Sequence, residues 1–191
     1  MKIIGITGGT GAGKSTVCDE LKNFGAEIVD CDKIARSIVR KGEPALDEIV
    51  DSFGKSILSP NGELDRKKMS GIVFSDAEKL EILNRITHKH IFDEMKKQIQ
   101  NAKSEVVVLD VPLLFQCDFP FRCDVTIAVI ADKEERIKRI MQRDGISREA
   151  AAARMANQLT DEEYAFFADV CFKNDGDVGK IREFVKSLFD Y

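Results

Sequence analysis

An α/β fold, with a five-stranded parallel sheet covered by helices on both faces, is the architecture this sequence predicts, on three observations. Five short apolar runs, at 3–7, 27–30, 106–110, 125–130 and 169–172, are mostly continuous rather than alternating, as strands buried on both faces require. Helical patterns lie between them. A glycine-rich turn joins the first run to a helical pattern, giving the strand–turn–helix order of a doubly wound sheet.

Lys2-Ile3-Ile4-Gly5-Ile6-Thr7 reads as a buried strand, and the segment 16–22 after the turn carries Val17 and Leu21 four apart on one helical face. The second strand ends Ile28-Val29-Asp30-Cys31-Asp32-Lys33. From about 36 to 102 no strand pattern occurs. Helical pieces there break at Gly42, Gly54 and Ser59-Pro60-Asn61-Gly62, so the stretch reads as a helical insertion between the second and third strands. After the fourth strand, 133–143 carries Ile137, Ile140 and Met141 on one face. Ser147 then has N-cap spacing to Ala150, without the Glu of a full capping box. Residues 178–189 form a last amphipathic helix.

The chain has 191 residues, 43% hydrophobic and 32% charged, which suits an ordinary globular protein. A formal net charge of −4 gives no reason to expect nucleic-acid binding. No apolar run approaches the roughly 18 residues of a membrane span, and no charged start leads into a long hydrophobic stretch. Neither a signal peptide nor a membrane partner is expected. Cys18, Cys31, Cys117, Cys123 and Cys171 form no C-x-x-C pair and have no His at zinc spacing. They are expected to be reduced thiols of a cytoplasmic protein.

The turn itself, Gly8-Gly9-Thr10-Gly11-Ala12-Gly13-Lys14-Ser15, fits G-x-x-x-x-G-K-[ST] at every fixed position. Such a turn aims backbone N–H groups of a helix N-terminus at one point, where the helix dipole also favours an anion. Glycines let the backbone approach phosphates, Lys14 reaches the β- and γ-phosphates, and the Ser15 hydroxyl ligates Mg²⁺. Gly9, Thr10, Gly11, Ala12, Gly13, Lys14, Ser15 and Thr16 are therefore expected to hold a nucleoside triphosphate, which is ATP on the family resemblance described below.

A phosphate loop alone does not separate a switch, a motor and a small-molecule kinase. No Asn-Lys-x-Asp segment is present to read guanine; Lys173-Asn174-Asp175 has the wrong order. The third strand ends Leu109-Asp110-Val111-Pro112 with one carboxylate, so Asp110 is a candidate for water-mediated Mg²⁺ contact or a plain strand-end Asp. Asp30 and Asp32 follow the second strand, where ligands bind in open α/β sheets. They fit phosphoryl-transfer chemistry, one as acceptor of a hydroxyl proton, and they also fit a helix N-cap pair. The basic run Lys133, Arg136, Lys138, Arg139, Arg143, Arg148 and Arg154 fits a solvated helix face or a lid that closes on the triphosphate. Either Arg139 or Arg143 is the candidate to meet the transferring phosphoryl group.

Taken together, these segments resemble the dephospho-coenzyme A kinase family along nearly the whole chain. The resemblance rests on Ile6 through Ser15, on Asp30-Cys31-Asp32-Lys33-Ile34-Ala35-Arg36, and on Gly62-Glu63-Leu64-Asp65-Arg66. Ile86-Thr87-His88, Val111-Pro112-Leu113-Leu114-Phe115, Arg143-Asp144, 154–158 and the Asn174-Asp175 region complete it. It implies a phosphate-loop nucleoside triphosphatase fold acting as one kinase unit. The core covers about 1–35, 103–138 and 159–191, the acceptor-binding insertion about 36–102, and the helical lid about 139–158. It implies phosphorylation of the ribose 3′-hydroxyl of dephospho-coenzyme A by ATP with Mg²⁺, in a monomer or small homo-oligomer.

On that resemblance Asp32 handles the hydroxyl proton, Lys14 and a lid arginine stabilise charge, and Asn174 joins the ATP site. Arg66, His88, Pro112, Leu113 and Leu114 join Asp32 around the acceptor, His88 being equally readable as a structural histidine. Two positions depart from the family's habit: Lys89 stands where Pro often follows the histidine, and Gln116 where Glu often follows Pro-Leu-Leu-Phe. Two other readings remain open. One is a small kinase acting on a different nucleotide or nucleoside; the other is a phosphate-loop sensor without transfer chemistry.

Overall fold

The computed structural model describes residues 1–189. Strands β1 (Lys2–Thr7), β2 (Glu27–Asp30), β3 (Val106–Asp110), β4 (Val125–Ile130) and β5 (Val170–Lys173) form one parallel sheet in the order β2-β3-β1-β4-β5. Ile4 stands opposite Val108 on one side and Val125 on the other. β1 thus lies between strands that the chain reaches in opposite directions, and the crevice at its carboxyl end is where such sheets bind ligands. Helices α1 (Lys14–Asn23), α2 (Cys31–Ser37), α3 (Pro44–Phe53), α4 (Arg66–Val73) and α5 (Ala77–Asn101) come before β3. Helices α6 (Lys133–Asp144), α7 (Arg148–Ala156), α8 (Asp161–Phe167) and α9 (Val178–Phe189) follow β4.

Two compact units result: Met1–Val29 with the chain from Ala102 onward, and Asp30–Asn101. In the first, Ile4, Ile6, Val108, Ile127 and Val129 pack with Val17 and Leu21 of α1 and with Ile181, Val185 and Leu188 of α9. Each fully buried Leu or Ile contributes about 2–3 kcal/mol. Strand alternation turns Gly5, Val107 and Leu109 to the opposite face. Val107 and Leu109 are fully buried there, and Gly5 lies against Cys123 and Leu114. Both faces are covered, which is why the runs are continuous in sequence.

In the second unit α2, α3 and α4 each pack on α5. Gly54, at φ 82°, ends α3, and the 59–62 turn is bracketed by a single antiparallel bridge between Leu58 and Leu64. Glu48 of α3 bonds both Lys89 (3.2 Å) and His90 (3.0 Å) of α5.

Two local expectations change. The last strand is Val170–Lys173, shifted by one from 169–172. The Asp169 carboxylate accepts from the Thr126 N–H (2.8 Å) and hydroxyl (2.7 Å), so this residue brackets β4 by its side chain and the ladder starts one residue later. Helix α8 was not anticipated. It opens with a complete capping box, in which Thr160 Oγ1 accepts from the Glu163 N–H while Glu163 Oε2 accepts from the Thr160 N–H.

Tyr164 of α8 is 1% exposed, and its hydroxyl has no hydrogen-bond partner among the described residues. Burial pushes its phenol pKa up. A buried unpaired hydroxyl costs about 1–3 kcal/mol, so Tyr164→Phe is expected to stabilise the fold by about 1 kcal/mol or more. Denaturant titration reads this directly, and a loss of stability would mean that the hydroxyl is paired.

Candidate active site

The phosphate loop follows from β1 and α1. Thr7, fully buried at the end of β1, donates its hydroxyl to the Pro112 carbonyl at 3.0 Å and fixes where the loop departs. Gly13 is the N-cap of α1 at φ 88°, in the left-handed region, and a Cβ there would stand 2.1 Å from Asn174 Nδ2. Only glycine fits on both counts. The N-cap glycine has no side chain with which to cap α1 and no acidic residue stands in its first turn, an arrangement whose positive end favours an anion.

Lys14 forms an ion pair with Asp110 at the end of β3. The other Asp110 oxygen accepts from Cys18 Sγ at 3.7 Å. Burial, and then the Asp110 charge, push the Cys18 thiol far up, which makes it a neutral donor and not a nucleophile. Ser15 is exposed in the first turn of α1. A hydroxyl and a carboxylate are the hard oxygen donors that Mg²⁺ takes when phosphates and water supply its other ligands. Ser15 and Asp110 supply one donor of each kind, a set that suits a cation carried in with a triphosphate.

Three arginines of α6, spaced i, i+3 and i+7, reach the loop from one helix face. Arg136 Nε donates to the Thr10 carbonyl at 3.0 Å. Arg139 Nη1 donates to the Gly11 and Ala12 carbonyls, each at 3.3 Å. Arg143 touches the Thr10 hydroxyl at 3.4 Å and is otherwise paired with Asp144, which Arg154 also holds at 2.5 Å. The Arg143 hydrogen bond, first among the causes, holds the Asp144 carboxyl below its ordinary value. Asn174, buried just past β5, donates to the Ala12 carbonyl at 2.9 Å. Beyond β3, Pro112 supplies its carbonyl to Thr7, Leu113 is 52% exposed, and Leu114 is buried behind Gly5.

The remaining candidates belong to the second unit. Asp30 caps α2 by accepting from the Lys33 N–H at 2.9 Å, while Asp32 is exposed in the first turn. Arg66 is exposed at the start of α4, behind the Asp65 cap. His88 is half-buried on α5 with its ring 5.6 Å from that of Phe92.

A family model described as dephospho-CoA kinase matches residues 2–180. The chain belongs to the dephospho-CoA kinase family. The dephospho-CoA kinase of Carboxydothermus hydrogenoformans is 41% identical over 98% of this chain and 93% of its own length. The solved structure of TT1252 from Thermus thermophilus superposes with a TM-score of 0.86 at 32% identity, covering 99% of this chain and 96% of that one. The dephospho-CoA kinase from Campylobacter jejuni gives 0.63 at 29% identity over the same shares. Dephospho-CoA kinases use ATP as phosphoryl donor.

Two residues beside the loop carry no motif of their own: Arg136 reads in sequence as one of a basic run, and Gln158 as the end of the lid segment. Arg136 is 5% exposed, and buried arginines need partners. Its place among Ile137 and Ile140 on a packed helix was the available signal.

Proposed function

We propose that this chain transfers the γ-phosphoryl group of ATP to the ribose 3′-hydroxyl of dephospho-coenzyme A, giving coenzyme A and ADP in the cytoplasm. The observation that carries the reading is the uncapped α1 N-terminus behind a glycine loop, with Lys14 poised at Asp110. Backbone N–H groups and the dipole bind the β-phosphate region, and Lys14 leaves Asp110 to neutralise the β- and γ-phosphates. Ser15 and Asp110 would hold Mg²⁺, which supplies charge neutralisation across the transferring group.

Arg143 is the better of the two arginines to meet that group. Arg139 is occupied with loop carbonyls, which point away from an N–H cradle, whereas Arg143 is more exposed and contacts only a hydroxyl of the loop. Of the two carboxylates after β2, Asp30 is committed to its cap, leaving Asp32 to accept the 3′-hydroxyl proton. Arg66 and His88 hold the acceptor, with Pro112, Leu113 and Leu114 shaping its surroundings.

The test is ADP release with Mg-ATP and dephospho-coenzyme A, with mass analysis of the product. Acceptor-dependent release and a product heavier by one phosphate are expected. ATP binding without turnover would overturn the assignment of this acceptor.

A further inference from the structure

Thr10 lies between two glycines of the phosphate loop, Gly9 and Gly11. Glycine rotates freely, so the two peptide units meeting at Thr10 are the ones most able to turn over. Carbonyl and N–H point opposite ways across a trans peptide, so turning the 10–11 unit would aim the Thr10 carbonyl where the Gly11 N–H now points, and turning the 9–10 unit would break the bond from the Ala12 N–H to the Gly9 carbonyl (3.1 Å). In this chain both units are gripped. The Thr10 N–H donates to Gln158 Oε1 at 2.8 Å, and the Thr10 carbonyl accepts from Arg136 Nε at 3.0 Å.

The grip closes on itself. Arg136 Nη2 donates to the same Gln158 oxygen at 3.3 Å, and Nη1 donates to Asp161 Oδ1 of α8 at 3.3 Å. The Arg136 side chain is 6% exposed and lies against Gly9, where a Cβ would come within 2.1 Å of Nη2. A guanidinium this buried needs its fixed fork of donors satisfied, which lysine cannot reproduce. Arg136 stands in the first turn of α6 and Gln158 two residues past α7, so the α6–α7 segment is tied at both ends to one residue of the loop.

We propose that Arg136 and Gln158 are positioning residues for the nucleotide: they lock the two peptide units at Thr10 and seat both ends of the α6–α7 segment on the phosphate loop. The inference rests on the reading of that loop as the ATP site, and on nothing about the acceptor. Asp161 orients the guanidinium from the third side. The glycines give the loop room for phosphates, and the clamp removes the freedom that the glycines add.

Calorimetric titration of the full chain with Mg-ATP, in the absence of acceptor, tests this. Gln158→Met keeps size and removes the acceptor oxygen; it is expected to raise the Kd for ATP about tenfold, as loss of a hydrogen bond does. Arg136→Lys is expected to do the same. The double variant should fall well short of the product of the singles, because either substitution also breaks the Arg136 Nη2–Gln158 Oε1 bond that joins the two grips. KM for dephospho-coenzyme A should stay within about twofold, whereas a general loosening of the fold would move it as much as the ATP affinity.

An unchanged ATP Kd in Gln158→Met, or singles that multiply to about a hundredfold in the double, would overturn the proposal. Should Arg136→Lys fail to fold, Gln158→Met decides alone. Absent turnover with dephospho-coenzyme A would sink the acceptor assignment and leave the ATP titration to be read as before.

Discussion

Lys14→Ala is expected to lower turnover with Mg-ATP and dephospho-coenzyme A by about 10³-fold or more, the scale on which a single charge aimed at a transferring phosphoryl group acts. The ammonium that would neutralise the β- and γ-phosphates is gone, and with it the ion pair that holds Lys14 at Asp110, which is 13% exposed. Asp110→Asn in the Lys14→Ala background lowers the negative charge beside the incoming triphosphate, and turnover should stay low because the ammonium is still missing. Helix α1 itself should survive both changes, since Val17 and Leu21 anchor it in the core. Single-turnover rates and melting curves on the parent chain and the two variants distinguish charge on phosphate from damage to the fold. Turnover within a few-fold of the parent chain in Lys14→Ala would remove the phosphate role from this lysine.

The architecture was legible where local chemistry and burial agree. β1, the loop and α1 form one uninterrupted signal, because strand, glycines and helix face each carry their own pattern. Burial on both faces of the sheet made β3 and β4 readable as solid apolar runs. The register of β5 was not readable, since it depends on Asp169 finding Thr126, a residue 43 positions away. Helix α8 had a legible start in Thr160 and Glu163, but its seven residues are too short to show a helical period.

In the site, sequence spacing placed Arg136, Arg139 and Arg143 on one face but did not say which would be buried. That is decided by how α6 packs on the loop, and the outcome puts Arg136 inside and Arg143 outside. The two departures from the family's habit also find local settings. Lys89 lies within an unbroken α5 and, with His90, ties that helix to Glu48 of α3. The hydrogen bonds from Lys89 and His90, in that order, keep the Glu48 carboxyl below its ordinary value. Gln116 is exposed after β3 and closes a turn through its backbone N–H on the Leu113 carbonyl at 2.9 Å, a bond that glutamate would make equally.

Asp32→Asn is expected to lower kcat by about 10²- to 10⁴-fold, the range of a positioned general base, with ATP affinity unchanged. The substitution is a clean one for three reasons. It keeps size, it leaves the Asp30 cap of α2 in place, and Asp32 is exposed, so no buried partner is orphaned. Phosphoryl transfer passes through a loose transition state in which the attacking oxygen carries little new bond, so the fall should lie toward the lower end of that range. A rapid-quench measurement of the first turnover isolates this step from product release. Near-normal first-turnover rates would reject Asp32 as the base. A loss of ATP affinity equal to the loss of rate would instead put the carboxylate on the metal–triphosphate side of the reaction. The contrast with Lys14→Ala then becomes diagnostic: the lysine variant should lose ATP affinity and rate together, and the aspartate variant rate alone. Only a chain that treats donor and acceptor through separate groups yields that pair of results, which a nucleotide sensor without transfer chemistry has no means to produce.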